Sequence, residues 1–129
     1  MNRVLLDTHV AVWAAFESKR ISKPLRRLFE KTHEVYVSSI SLAEIEMKQS
    51  EGKVKIKSVS VADIDKIGFQ VMAFDAEAAF SMSRFEQLAN HDPFDWLLLA
   101  QAASLDATFV TADRKLLSLD LEWVFDARD

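Results

Sequence analysis

Short apolar runs alternate along the chain with longer segments whose apolar residues recur at helical spacing. The runs predict five strands, at residues 4–6, 35–38, 70–74, 107–110 and 121–125. The longer segments predict helices at residues 9–17, 22–31, 42–50, 61–67, 76–89 and 92–105, and a helical turn at 114–118. Strands separated by helices predict a parallel sheet with right-handed crossovers and helices on both faces.

Polar residues at the predicted helix starts have the spacings of helix caps. Ser41 and Glu44 have the Ser-x-x-Glu spacing of a capping box, and Ser60 and Asp63 repeat it with aspartate. Asp75 is expected to cap the helix that follows it. For Glu44 the capping box is by itself a sufficient explanation of an acid at this position.

Composition limits the type of domain and the chemistry. The chain has 129 residues, half of them hydrophobic, and we expect one domain over residues 1–129. The chain has no cysteine, which excludes disulfides, thiolate nucleophiles and Cys-ligated zinc. A metal site must therefore use oxygen or histidine. The histidines, His9, His33 and His91, lack a mutual spacing typical of zinc and are interpreted as surface or packing residues. The apolar start is interrupted at Asp7, too early for a signal peptide or membrane span, so we expect a cytoplasmic protein with no membrane contact.

The charge balance narrows the classes of partner. A net charge of -4 and a pI near 5.4 argue against a broad phosphate-binding surface. Basic residues nevertheless gather in two groups: Lys19, Arg20, Lys23, Arg26, Arg27 and Lys31, and Lys48, Lys53, Lys55 and Lys57. Each group is typical of a solvated helix face, and nucleic acid remains a partner only where positive charge is local.

Four acids fall at equivalent places, where a strand ends or the following helix begins: Asp7, Glu44, Asp95 and Asp113. Ligands of parallel α/β sheets bind beyond the carboxyl ends of the strands. Carboxylates converging there repel one another, and a divalent cation such as Mg²⁺ or Mn²⁺ would reconcile them. Helix N-termini also attract acids through capping and the helix dipole, without any function. From spacing alone, both interpretations of the four acids stay open.

Four stretches together resemble a known family. "LLDTHVAVW" at 5–13, "SSISLAEIEMKQSEGKV" at 38–54, "HDPFDWLLLAQA" at 91–102 and "TADRKL" at 111–116 resemble the successive signatures of PIN-domain ribonucleases, specifically VapC-type toxins of toxin–antitoxin pairs. The resemblance implies a PIN-like three-layer α/β/α sandwich with a mostly parallel central sheet. It implies Asp7, Glu44, Asp95 and Asp113 as the catalytic acids around Mg²⁺ or Mn²⁺, with Asp7 and Asp95 as the principal ligands.

The resemblance also implies a function and partners. We expect metal-dependent hydrolysis of RNA phosphodiester bonds, with a structured RNA such as tRNA as substrate, in a homodimer inhibited by a cognate antitoxin. Operator DNA would be bound only through that antitoxin. Thr8, Lys48 and Thr111 are candidate substrate contacts, although the two threonines also suit backbone capping. The alternative is a non-catalytic PIN-fold binding module that acts through an antitoxin and operator DNA complex.

Three positions depart from the family pattern. Ala43 stands where a tryptophan is common, Glu46 where a small apolar residue is usual, and Trp96 where arginine or lysine is frequent. None of them belongs to the four acids. The departures therefore bear on the choice of substrate more than on the chemistry.

Overall fold

A computed structural model describes residues 3–52 and 58–128 and contains one five-stranded sheet. The strands are β1 (Arg3–Leu6), β2 (Glu34–Ser38), β3 (Gln70–Met72), β4 (Thr108–Thr111) and β5 (Val124–Asp126). Their order is β3-β2-β1-β4-β5 and every pairing between them is parallel, which confirms the predicted sheet. The last strand starts later than predicted because Val124 N–H donates to the carbonyl of Leu121, closing a turn.

The helices occur in the predicted order between the strands. They are α1 (Thr8–Phe16), α2 (Lys23–Lys31), α3 (Ser39–Ser50), α4 (Val61–Lys66), α5 (Ala76–Phe80), α6 (Pro93–Ser104) and α7 (Arg114–Leu117). Two 3-10 segments follow α1 and α5, at Ser18–Arg20 and Ser81–Leu88. In the ranges 3–52 and 58–128, none of these helices has the length and apolar character needed to cross a bilayer.

Alternation along the strands produces two cores, one on each face of the sheet. Val4 and Leu6 pack on one face with apolar residues of α1, α2, α3 and α4. Leu5 points to the other face, where it packs with α6, α7 and the second 3-10 segment. The three side chains are almost fully buried. The three-layer α/β/α arrangement expected from the sequence is therefore confirmed.

The predicted helix over 76–89 is only partly correct. Asp75 caps it as expected, since its side chain accepts from Ala78 N–H at 3.0 Å. The α-helical part ends at Phe80, and the 3-10 segment that continues it departs from helical geometry at Phe85 (φ -131°, ψ 44°). Phe85 is buried and its ring meets the ring of Trp123 edge-on at 5.9 Å. This contact with a distant residue outweighs the local helical periodicity.

Helix α3 begins earlier than predicted. Ser38 caps it, because its hydroxyl accepts from the N–H of the second helical residue at 3.0 Å. The predicted capping box of Ser41 and Glu44 is wrong, because both residues lie inside the helix. The capping box of Ser60 and Asp63 is confirmed, with both reciprocal hydrogen bonds at 3.0 Å. The start of α3 thus leaves Glu44 without a capping role.

The strand order places a switch point in the middle of the sheet. The chain leaves β1 towards β2 on one side, whereas β4 lies on the other side of β1. Asp7 directly follows β1, and Asp113 lies two residues after β4. Ligands of open parallel sheets bind beyond the strands at such a point. The fold therefore brings these two acids to the edge where a binding site is expected.

Candidate metal centre

Asp7 is a helix cap that is also tied to the neighbouring strand. Its Oδ1 accepts from Thr8 N–H at 2.7 Å, and its Oδ2 accepts from the Thr111 hydroxyl at 2.6 Å. The residue is 2% exposed, and this burial raises the pKa of its carboxyl. His9 Nε2, 4.0 Å from Oδ2, opposes that shift. The capping interpretation of Asp7 is thus confirmed, and capping is compatible with a ligand role.

Thr111, the last residue of β4, connects Asp7 with Asp113. Its hydroxyl donates to Asp7 and accepts from Asp113 N–H at 3.0 Å. The Oδ1 of Asp113 caps α7 by accepting from Lys115 and Leu116 N–H at 2.9 and 3.0 Å. Thr111 is fully buried, and this one side chain connects the carboxyl group of Asp7 to the backbone of Asp113 at the switch point.

Glu44 is held from α1 and from within its own helix. Its Oε1 accepts from the Thr8 hydroxyl at 2.6 Å, a length typical of a charge-assisted bond. The ammonium of Lys48, one turn along α3, lies 2.7 Å from Oε2. This hydrogen bond raises the pKa of Lys48. Glu44 is buried, whereas the side chain of Lys48 is 43% exposed, so only the lysine extends towards solvent.

Asp95 lies in the first turn of α6 and is paired with a histidine that sequence reasoning missed. Asp92 caps α6 by accepting from Phe94 N–H at 2.9 Å. His91, just before that cap, places Nε2 2.9 Å from Asp95 Oδ2. The signal in the sequence was the spacing of four residues between His91 and Asp95, across an Asp-Pro helix start.

The four predicted acids share one electrostatic environment. The pKa of Asp95 is raised to about 8, first by burial and then by the negative charges of Asp7 and Asp113. Asp92 and Glu44 raise it further. Carboxylates that shift one another in this way repel when all are ionised. The neighbouring acids therefore disfavour ionisation of Asp95 in the absence of a cation.

The tightest group of potential ligand atoms differs from the expected principal pair. Among the residues that the structure describes, His91, Asp95 and Asp113 each offer one atom within 4.8 Å of the others. This group does not include Asp7 or Glu44, whose oxygens are bonded to Thr8, Thr111 and Lys48. The structure thus places Asp95 and Asp113 together with His91, and Asp7 and Glu44 beside them.

The chain is thus an α/β/α sandwich with a parallel sheet, and its carboxyl groups gather at the switch point of that sheet. The profile of the PIN domain family matches residues 4–121. The chain belongs to the PIN domain family, as the four sequence motifs indicated.

Known relatives agree with this assignment. The chain is 27% identical over 120 residues to "Ribonuclease VapC22" of Mycobacterium tuberculosis, with 92% of each chain covered. In structure it is similar to VapBC2 from Rickettsia felis bound to a promoter DNA fragment, with a TM-score of 0.67, 21% identity and 96% of each chain covered. It is also similar to DNA-bound VapBC from Salmonella typhimurium, with a TM-score of 0.62, 18% identity, and 98% of this chain and 97% of that chain covered. These likenesses confirm the PIN-like fold.

The shifted pKa of Asp95 predicts how stability depends on pH without metal. Between pH about 4 and about 8 the folded state holds a proton that the unfolded state releases, so the free energy of unfolding falls as pH rises. Asp7, whose pKa is also raised, acts in the same direction. Urea denaturation in a chelator should show this fall in the parent and a flatter profile in Asp95→Asn. Asp65→Asn, at an exposed position of α4, should follow the parent. Identical slopes for Asp95→Asn and the parent would contradict the assigned coupling.

Thr111→Val tests the connection between Asp7 and Asp113. The change keeps the branched shape but removes the hydroxyl, leaving Oδ2 of buried Asp7 without its hydroxyl donor and Asp113 N–H without its acceptor. We expect a loss of about 1–3 kcal/mol in the free energy of unfolding. The matched control is Thr108→Val at the start of the same strand, where we expect little change. Equal losses in the two variants would show that the hydroxyl of Thr111 has no special role.

Proposed function

We propose that residues 1–129 act as a single PIN domain, the toxin of a toxin–antitoxin pair. Its activity is metal-dependent endoribonucleolytic hydrolysis of RNA phosphodiester bonds, with a structured RNA such as tRNA as the substrate. The single observation that carries the proposal is the convergence of potential ligand atoms at the switch point, where His91, Asp95 and Asp113 each offer one within 4.8 Å of the others. The relative named a ribonuclease, similar over 92% of both chains, supports the same chemistry.

The residues present fit a hard divalent cation. Mg²⁺ and Mn²⁺ prefer oxygen ligands and combine a few protein carboxylates with water and phosphate. By the family resemblance, Asp7 and Asp95 would be the principal ligands and Glu44 and Asp113 would complete the site, with His91 beside Asp95 and Asp113 as a further potential ligand. A cation would compensate the same negative charges that raise the pKa of Asp95 in its absence.

When bound, such a cation acidifies water and polarises a phosphate oxygen. The protein's own contribution is to hold the acids in place before substrate arrives. Thr111 orients Asp7, Thr8 orients Glu44, and His91 restrains Asp95. Fixing the carboxylates in this way avoids rearrangement during the reaction.

Of the three side chains expected to contact substrate, Lys48 has the most suitable position. Its ammonium is beside Glu44 and its side chain is 43% exposed, so it can reach a phosphate at the same site. The hydroxyls of Thr8 and Thr111 are buried and bonded to carboxylates. We therefore assign Lys48 to phosphate contact and the two threonines to positioning the acids.

The departures from the family pattern leave this assignment intact. Trp96 donates its indole N–H to the carbonyl of Met82 at 3.0 Å, so it anchors α6 to the second 3-10 segment. Ala43 and Glu46 lie on the exposed side of α3. None of these three side chains takes part in the carboxylate bonds described above.

The proposed partners follow from the same assignment. The similar solved structures are toxin–antitoxin assemblies, some of them bound to DNA. By analogy, this chain would form a homodimer in the cytoplasm and be inhibited by a cognate antitoxin. Operator DNA would then be bound through the antitoxin, because the net charge of -4 disfavours a broad DNA-binding surface on this chain.

Expression without antitoxin tests the proposal. The parent should arrest growth and its purified form should cut RNA with Mg²⁺, whereas Asp95→Asn should do neither, since it loses a ligand charge. Asp65→Asn should remain as toxic as the parent. If Asp95→Asn is fully toxic, the assigned chemistry is wrong. If the parent is harmless and inactive on RNA while still pairing with its antitoxin, the non-catalytic binding module is the correct function.

A further inference from the structure

A pocket of about 220 Å³ opens between α1 and α3, directly beside the acids. Its apolar floor is formed by Val12 and Ile45, each only 4% exposed. At one end it is lined by Thr8 and Glu44, which also belong to the candidate metal centre. Any group in this pocket is therefore an immediate neighbour of whatever occupies the acidic site.

Flat side chains form the wall of the pocket. His9 and Trp13 lie one turn apart on α1, with ring centroids 5.4 Å apart and planes inclined at 57°. The guanidinium carbon of Arg20, from the first 3-10 segment, lies 4.9 Å from the centroid of the Trp13 ring. Imidazole, indole and guanidinium planes are the surfaces on which proteins stack unpaired bases.

The outer rim of the pocket carries two exposed cations, each paired with an acid that also lines the pocket. Arg20 lies 3.5 Å from Glu17, and Lys48 lies 2.7 Å from Glu44. Arg20 and Lys48 both line the pocket, with side chains 59% and 43% exposed. Arg26 of α2 donates to the carbonyl of Ser18 at 3.1 Å, which joins the basic helix α2 to the segment that carries Arg20. The predicted basic group at residues 19–31 is thus continuous with the pocket. Of the second predicted group, Lys53, Lys55 and Lys57 lie outside the described residues.

We infer that this pocket, which we call the base pocket, holds one unpaired nucleobase of the RNA next to the phosphate at the acids. The inference rests on the proposed function and adds to it how substrate is held. An apolar floor with flat walls suits a base, and the exposed guanidinium of Arg20 and ammonium of Lys48 offer N–H donors to the phosphates on either side of it. A nucleotide combines these two features in one ligand. Stacking of this kind tolerates different bases, so the pocket requires an unpaired nucleotide more than a particular sequence.

Binding can be measured separately from cleavage in an Asp7→Asn background, which lacks a principal ligand, so that the RNA is held by the pocket and its rim. The probes are a labelled oligouridine of about ten nucleotides and a strand of the same length with stable abasic sugars. Trp13→Leu removes the indole but keeps an apolar side chain. Arg20→Lys keeps the positive charge but removes the planar guanidinium group. Because position 20 is exposed, the change should not affect the fold. The matched control is Arg84→Lys, because Arg84 lies 5.5 Å over the ring of Phe85, which belongs to the core on the other face of the sheet.

We expect Trp13→Leu and Arg20→Lys each to weaken oligouridine binding about tenfold, the usual effect of losing one stacked base. Binding of the abasic strand should be unchanged, and Arg84→Lys should bind both strands like its background. Unchanged oligouridine binding in both pocket variants, or equal losses for both strands, would overturn the base pocket.

Two further outcomes separate the base pocket from the proposed function. If the parent cleaves RNA but the pocket variants bind oligouridine normally, only the base pocket fails. If those variants also fail to retain a co-expressed antitoxin, the pocket binds a segment of a protein instead. If the Asp7→Asn protein binds neither strand, the base pocket is excluded. If the parent also fails to cut RNA, the proposed function is excluded as well.

Discussion

Burial of several carboxyl groups at one edge of the sheet is the constraint on which the site depends. An ionised carboxylate out of water is costly unless it is paired or hydrogen-bonded. The chain supplies a hydroxyl from Thr111 for Asp7, a hydroxyl and an ammonium for Glu44, and an imidazole for Asp95. Even with these partners, burial and then the charges of the neighbouring acids raise the pKa of Asp95 to about 8. The proposed cation would compensate the charges of these carboxylates.

The fold makes this arrangement possible by bringing distant parts of the chain to one place. Parallel pairing of β1 with both β2 and β4 puts their carboxyl ends at one edge, and α6 begins beside them. Helix N-termini add N–H donors there. Asp7 and Asp113 each accept from these donors through one carboxylate oxygen and have a second oxygen besides. The two sequence-based explanations of the acids, capping and convergence, are therefore compatible. Capping fixes the position of a carboxylate that also belongs to the group of acids at the switch point.

The sequence was informative where local rules decide the structure, and misleading where distant contacts do. The order of the strands, the Asp75 cap and the Ser60–Asp63 box depend on neighbouring residues and were predicted correctly, although β3 ends earlier and β5 starts later than predicted. The capping box at Ser41 failed because Ser38, at the end of β2, starts the helix first. The break at Phe85 depends on Trp123, far along the chain, and no helical period contains that information. His91 was overlooked because its role appears only once Asp95 is known to lie among other acids.

The most direct test of the central claim is thermal unfolding with and without Mn²⁺. In the parent, Mn²⁺ at a hundred times its dissociation constant should add about 2.7 kcal/mol of stability, a rise of several degrees in Tm. Asp7→Asn should have a higher Tm than the parent without metal, because it relieves repulsion while the amide oxygen can still cap α1, and it should lose the response to Mn²⁺. The exposed control Asp65→Asn should respond like the parent. A parent whose Tm is indifferent to Mn²⁺ would contradict the assignment of these carboxylates to a metal centre.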